Sequence, residues 1–235
     1  MHISYFVPPA PLLAAQERGL LNGLELEETR TPGSAEQLDG LISGRLDLAV
    51  TAIDNLFEWS AAGADLRLLG QVEPTTPLSL FAAPVIEDAS DLEGLPVGVD
   101  AYANGFSLVA RHYLQQAGAP VRWLEVGGVA ERLDALLSGA VSATLLGPPF
   151  DERARAAGFR ELMRVQDRFP EFPGQGLVAR AELVGTPALD RLLAPLSECG
   201  LQPVEAAGLD LLIGIREQLG LLPQEFDLHA TVVHP

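Results

Sequence analysis

Thr51, Asp54 and Asn55 stand together directly after an apolar run, Leu46 to Thr51. A hydroxyl, a carboxylate and a carboxamide at one strand end can do two kinds of work. Thr51 and Asn55 can hydrogen-bond a ligand while Asp54 faces a cationic group or passes a proton; alternatively, Asp54 and Asn55 cap the short helix that follows. Tyr102, Asn104, Gly105 and Phe106 form a second such group after the run Pro96 to Val99, with Gly105 allowing close backbone approach. Phe6, Tyr102, Phe106 and Phe150 offer flat apolar surface to a ring, with ordinary core packing as the competing use. Ser34 reads as a helix N-cap whose hydroxyl caps the helix or touches a ligand, and Gly128 is its counterpart with bare backbone. Pro8, Gly147 and Gln175 complete the candidate ligand-binding set, Gln175 closing the Pro-rich aromatic stretch Phe169 to Gln175. If the chain were an enzyme, Asp54 would be the first acid–base candidate and Glu73 the second.

Several chemistries are excluded by what the chain lacks. All 15 cations are arginine, so Schiff-base lysine chemistry and a P-loop lysine are absent. Cys199 is the single cysteine, which rules out an intrachain disulfide and a cysteine cluster. His2, His112, His229 and His234 follow no metal spacing, and none lies on a candidate loop, so neither a metal site nor a Ser-His-Asp triad is expected. No catalytic residue and no cofactor is assigned. A formal net charge of −17 disfavours nucleic acid as a partner. No stretch has the apolar length of a membrane span. A first strand almost at Met1 leaves no room for a signal peptide; the chain as written is expected in the cytoplasm, or in the periplasm or at the cell surface if a leader was removed.

These residues are positioned by a repeated unit. Gly33 to Gly44 (GSAEQLDGLISG) reads again at Gly128 to Gly139 (GVAERLDALLSG), and each copy is flanked by strand-like runs. The unit is strand, Gly-led turn, amphipathic helix, Ser-Gly stop, strand. Two copies predict two similar α/β lobes with a cleft, and ligands bind beyond the carboxyl ends of parallel strands. The expected lobes are 1–82 plus 181–235, and 83–180, with the helical stretch Leu189 to His229, punctuated by Pro195, packing back on the first. Crossovers are expected at Leu80 to Pro84 and Gly176 to Ala181. Six loops lie at those strand ends, 7–11, 31–34, 51–55, 100–106, 127–129 and 147–150; since no arginine falls within them, while Asp54, Asp100 and Asp151 lie in or beside them, a neutral or cationic ligand is expected.

The segments LLAAQERGLL…GLELEETRTPGSAEQLDGLISGRLDLAVTAIDN, DLEGLPVGVDAYANGFSLVARHYLQQAGA and GGVAERLDALLSGAVSATLLGPPF resemble the SsuA/THI5-like (NMT1/THI5) substrate-binding proteins, from about Tyr5 to Arg180. The resemblance implies a type II periplasmic-binding fold, α/β, with each lobe a mainly parallel sheet flanked by helices. It also implies a solute-binding component of the ABC-transporter kind that closes two lobes on a small organic ligand, with an ABC permease as partner if the chain is exported. The alternative is a cytoplasmic enzyme on the same fold, a lyase, decarboxylase or chorismate-dehydratase-like protein. One departure is the second sheet-entry position, where Ser142 stands in place of the aspartate found at Asp47.

Overall fold

The computed structural model describes residues 1–103 and 105–233. Asn104 and His234 lie outside the described residues. The chain divides into two compact units: 1–75, 173–210 and 223–235 form the first, and 76–172 with 211–222 form the second.

The first unit is built on strands β1 (His2–Tyr5), β2 (Glu27–Arg30), β3 (Leu48–Ala52), β4 (Leu66–Gln71) and β10 (Gln175–Arg180). They hydrogen-bond in the order β2-β1-β3-β10-β4. β1 runs parallel to β2 and β3, while β10 is antiparallel to β3 and β4. β3 is buried along its whole length, as a central strand covered on both faces must be, and its sequence LAVTA is nearly continuous in apolar residues. β2, at the edge, is exposed throughout and reads EETR; charges on an edge discourage pairing with another chain. Leu24 and Leu26, just ahead of this strand, pack against the core.

The helices of this unit are α1 (Ala10–Glu17), α2 (Ser34–Ile42), α3 (Asn55–Ala61) and α8 (Pro187–Glu198). Leu189, Leu192 and Leu196 share one face of α8 at helical spacing and join Leu12 and Ala15 of α1 in the core. Thr186 caps α8 by accepting from the Leu189 N–H at 3.3 Å, with Pro187 as the first helical residue. Pro195 lies inside α8 without ending it.

The second unit repeats the plan. Its strands are β5 (Ser79–Ala82), β6 (Pro96–Val99), β7 (Arg122–Glu125), β8 (Ala143–Leu146) and β9 (Arg160–Arg164), in the order β7-β6-β8-β5-β9. β6 is parallel to β7 and β8, and β5 is antiparallel to β8 and β9. Its helices are α4 (Ser107–Gln116), α5 (Val129–Leu137), α6 (Phe150–Ala156) and α7 (Val165–Arg168). Helix α9 (Ala206–Gln218) begins in the first unit and ends in the second. Leu133 and Leu136 of α5 pack on Phe81, Val141 and Leu146.

The repeat is visible atom by atom. Both copies end at a glycine in the left-handed region, Gly44 at φ 73° and Gly139 at φ 76°. Both begin with a glycine N-cap in extended backbone, Gly33 and Gly128. The copies differ where Ser142 replaces the aspartate. The Asp47 carboxylate accepts from the His2 N–H at 2.9 Å and pairs with Arg180 at 3.2 Å, tying the start of β1 to the end of β10. Ser142 makes backbone bonds to Pro96 and Ala83.

The units do not divide where the sequence suggested. β5 pairs with β8 and β9, which puts 76–82 in the second unit, and β10 lies between β3 and β4, which puts 173–180 in the first. Residues 211–222 also belong with the second unit. A short apolar strand carries no mark of the sheet it enters, so antiparallel insertion was invisible to the repeat.

Candidate functional site

In the first unit the carboxyl ends of β1 and β3 lie side by side. Phe6 and Pro8, both half-buried, follow β1. The Asn55 side-chain amide donates to the Thr51 hydroxyl oxygen at 2.8 Å, and both residues are buried. Asp54 is also buried; it precedes α3 with helical backbone angles, and its carboxylate does not cap the helix. Because β10 runs antiparallel to β3, Gln175 comes opposite Ala52 and Gly176 opposite Thr51. Gln175 therefore stands at the same sheet end as Thr51, far away in sequence. Its side-chain amide lies 3.5 Å from the Glu73 carboxylate, so the second acid candidate is held at this end too. Gly174 lets the chain enter β10 here, since a Cβ on it would run into the Glu73 carbonyl oxygen.

Ser34 is not the cap it resembles. Gly33 occupies the N-cap position and Ser34 is the first helical residue. The preceding turn is closed by Thr31, whose hydroxyl donates to the Gly33 carbonyl at 2.7 Å and accepts from the Gly33 N–H at 3.3 Å. Gln37, one turn on, was missed by sequence reasoning. Its amide nitrogen donates to the carbonyls of Ser4 at 3.3 Å and Val50 at 3.1 Å, pinning β1 to β3, while its buried oxygen has no partner among the described residues. The available signal was a glutamine on the apolar face of an amphipathic helix.

In the second unit the loop after β6 is held by side chains from elsewhere in that unit. The Tyr102 N–H donates to the Glu125 carboxylate at 2.7 Å, and the Ser107 hydroxyl donates to the Ala101 carbonyl at 2.5 Å. Arg111 donates to the Tyr102 carbonyl at 2.5 Å and lies 3.7 Å from the centre of its ring. Arg216 donates to the Ala103 carbonyl at 3.1 Å and to that of Leu221 at 3.2 Å. Gly105 adopts φ 71°. Phe106 packs on Phe172, with ring centres 5.9 Å apart. Gly147 has no room for a side chain, because a Cβ would meet the Pro77 carbonyl oxygen at 2.8 Å. Phe150 is half-buried and opens α6, and its ring packs into the core of this unit. Asn104 lies outside the described residues.

The charges differ from those expected of the loops. Asp100 is paired with Arg132 at 3.0 Å. Arg155 lies 3.9 Å from Asp151. Two arginines, neither of them a loop residue, reach the loop after β6, because a long side chain carries its charge well away from its position in sequence. Counting charges in the loops alone therefore misjudged this end of the second unit, and the expectation of a cation-favouring site is not supported there. Burial pushes Arg111 below the usual guanidinium range; the Tyr102 phenol partly opposes this, and the like charge of Arg216 adds to it. His112 is likewise lowered by burial and by Arg168; it is buried, with Gln116 at 2.9 Å and its ring 5.5 Å from that of Phe169. Among the described residues, no three His, Cys, Asp or Glu side chains are grouped to hold a metal, and no helix is long and apolar enough to cross a membrane.

The family described as NMT1/THI5 like matches residues 9–186. Among solved structures, the alkanesulfonate-binding protein SsuA of Xanthomonas axonopodis pv. citri, bound to MOPS, superposes with a TM-score of 0.81 at 18% identity, covering 100% of this chain and 98% of that one. The periplasmic aliphatic sulphonate binding protein SsuA of Escherichia coli gives 0.77 at 20% identity, covering 100% and 92%. The ligand-binding component of an ABC-type import system from Staphylococcus aureus, with zinc bound, gives 0.79 at 16% identity, covering 100% and 96%. These likenesses establish the two-lobed α/β fold. An ATP phosphoribosyltransferase of Metallosphaera sedula is 27% identical over 139 residues, which span 57% of this chain and 45% of that protein. The match thus spans less than half the length of that relative.

Proposed function

The chain belongs to the NMT1/THI5-like family, and from that premise we propose that it is a solute-binding protein that takes a small organic ligand on the loops at the carboxyl ends of its parallel strands. In the first unit the binding groups are Thr51 and Asn55, with Phe6, Pro8, Ser34, Asp54 and Gln175 around them. In the second they are Tyr102, Gly105, Phe106, Gly128, Gly147 and Phe150. The observation that carries this reading is the buried Thr51–Asn55 hydrogen bond with Gln175 brought beside it by β10. Polar groups at a buried strand end support a site at which a ligand's hydrogen bonds form out of water and are correspondingly selective. The six loops hold no His, Cys or Lys, which suits binding rather than nucleophilic chemistry. A periplasmic or cell-surface location and an ABC permease as partner belong to this reading, after the kinds of protein its structural relatives are.

The match to an ATP phosphoribosyltransferase favours a second reading, an enzyme on this fold, with Asp54 as its acid–base group. Two measurements separate the readings. A thermal-shift screen of small organic compounds, followed by calorimetry on wild type and Thr51→Val, is expected to give a ligand that binds about tenfold more weakly to the variant. NMR of that ligand after prolonged incubation is expected to show it unchanged. Conversion of the ligand would establish the enzyme, and an affinity indifferent to Thr51→Val would remove this strand end from the site.

A further inference from the structure

The second unit has a cavity of about 460 Å³ that shares only Tyr102 with the residues of the proposed function. It is lined by Tyr102, Arg111, Leu114, Val121, Trp123 and Leu219, all within that unit. Its volume falls in the range of small-molecule sites, and its wall is mostly apolar with one charged group. That group is Arg111, which is only 8% exposed. A guanidinium has five N–H donors and no acceptor. Among the described residues Arg111 makes one hydrogen bond, to the Tyr102 carbonyl, and no ion pair. One face of its plane is covered by the Tyr102 ring at 3.7 Å. A buried cation without a carboxylate beside it is costly, and Arg216, a second cation close enough to depress its pKa, adds to that cost. An anion presented to the edge of the guanidinium relieves both, and a carboxylate matches that edge with two parallel hydrogen bonds.

We propose that this cavity binds a small organic carboxylate with an apolar body, the carboxylate on Arg111 and the body against Trp123, Leu114 and Leu219. The apolar wall selects against inorganic anions, which would leave it wet. The lining belongs wholly to the second unit and carries its own reporter. Of the two tryptophans, Trp59 is buried in the first unit, whereas Trp123 lines the cavity.

The test uses 3-phenylpropionate as the probe, at 0.15 M salt to screen the net charge. Saturable quenching of tryptophan fluorescence and a matching calorimetric isotherm are expected, with 3-phenylpropanamide at least about tenfold weaker because it lacks the charge. Arg111→Gln should weaken the carboxylate by about tenfold or more. Since Arg111 also holds the Tyr102 loop, Gln115→Glu is the independent variant. It puts a carboxylate on the exposed rim of the cavity, leaves the Arg111–Tyr102 bond in place, and should weaken the probe comparably. Trp123→Phe should keep the heat of binding and lose the quenching. Thr51→Val should leave probe binding intact. Absence of saturable binding, equal affinity for acid and amide, tighter binding of inorganic phosphate, or indifference to Gln115→Glu would each overturn the proposal. Loss of binding in Thr51→Val would move the probe to the other site and overturn it equally.

Discussion

Thr51 and Asn55 hold each other in a place that water does not reach, so removing either partner costs more than the bond is worth. Thr51→Val keeps the shape and deletes the acceptor; it is expected to destabilise the first unit by about 1–2 kcal/mol in denaturant melts, with a loss of ligand affinity measured separately. Tyr5 gives a second test at this scale. Burial, together with its 2.6 Å hydrogen bond to Glu28, pushes its phenol from 10.0 up to about 12. The folded state thus holds this proton more tightly than the unfolded chain. The stabilisation is complete below about pH 10 and is lost as the pH rises toward 12. Melts of wild type and Tyr5→Phe should converge over that interval, by on the order of 2 kcal/mol. Ultraviolet titration should show one of the three tyrosines ionising late. At this scale the sequence was legible where a residue's setting followed from its own position, as at Thr51 and Asn55, which stand at the end of β3 and the start of α3, and at Gly44 and Gly139, which stop the two repeat helices. It was not legible at Gln37, Arg111 and Arg216, which act at strand ends or loops some distance along the chain. Ser34 shows the opposite error: a good N-cap type was displaced one position because Thr31 had already closed the turn.

Strands and helices were legible in proportion to their local signals. β6 begins and ends at the expected residues, and the two repeat helices start and stop at their glycines. Pro195 misled as a helix breaker because it sits near the end of a helix whose Leu189, Leu192 and Leu196 face is anchored in the core. The membership of strands in sheets was not legible, since pairing is decided by partners that periodicity does not name. β5 and β9 illustrate how much rests on such a pairing. Glu161 of β9 accepts from the Ser79 hydroxyl at 2.7 Å and pairs with Arg155 at 3.0 Å and Arg164 at 3.3 Å. Burial alone would raise its pKa, but these three partners outweigh it and hold the carboxyl below its usual range. The folded state therefore binds this proton less readily, and the stabilisation present above about pH 4.5 is lost as the pH falls. Glu161→Gln should be less stable than wild type at neutral pH and lose less stability on acidification. Equal acid sensitivity in parallel melts would show that the β5–β9 contact is not strengthened by this charge.

For the molecule as a whole, the repeat announced the fold before any element was placed, because a single unit that buries only one face of its helix needs a sheet to complete it. A ligand at about 100 times its dissociation constant should add roughly 2.7 kcal/mol of stability, raising Tm by roughly 5–10 °C for a chain of this size. If binding closes two lobes, small-angle scattering should record a smaller radius of gyration with ligand. An unchanged radius at saturation would leave the binding reading intact and remove the closure from it.

The order of the strands along the chain also sets a timetable. β10 lies between β3 and β4 in the first sheet, yet the ribosome makes it only after the whole of 76–172. Until then β3 and β4 have emerged with no strand to join them, and Val50 and Leu68, buried in the finished protein, have no partner across the gap. The five strands of the second sheet, by contrast, come out consecutively. Vectorial synthesis thus favours the second sheet as the first to form, leaving the earliest residues waiting the longest, and the nascent first unit is the stage at which this chain is most exposed to chaperones and to aggregation.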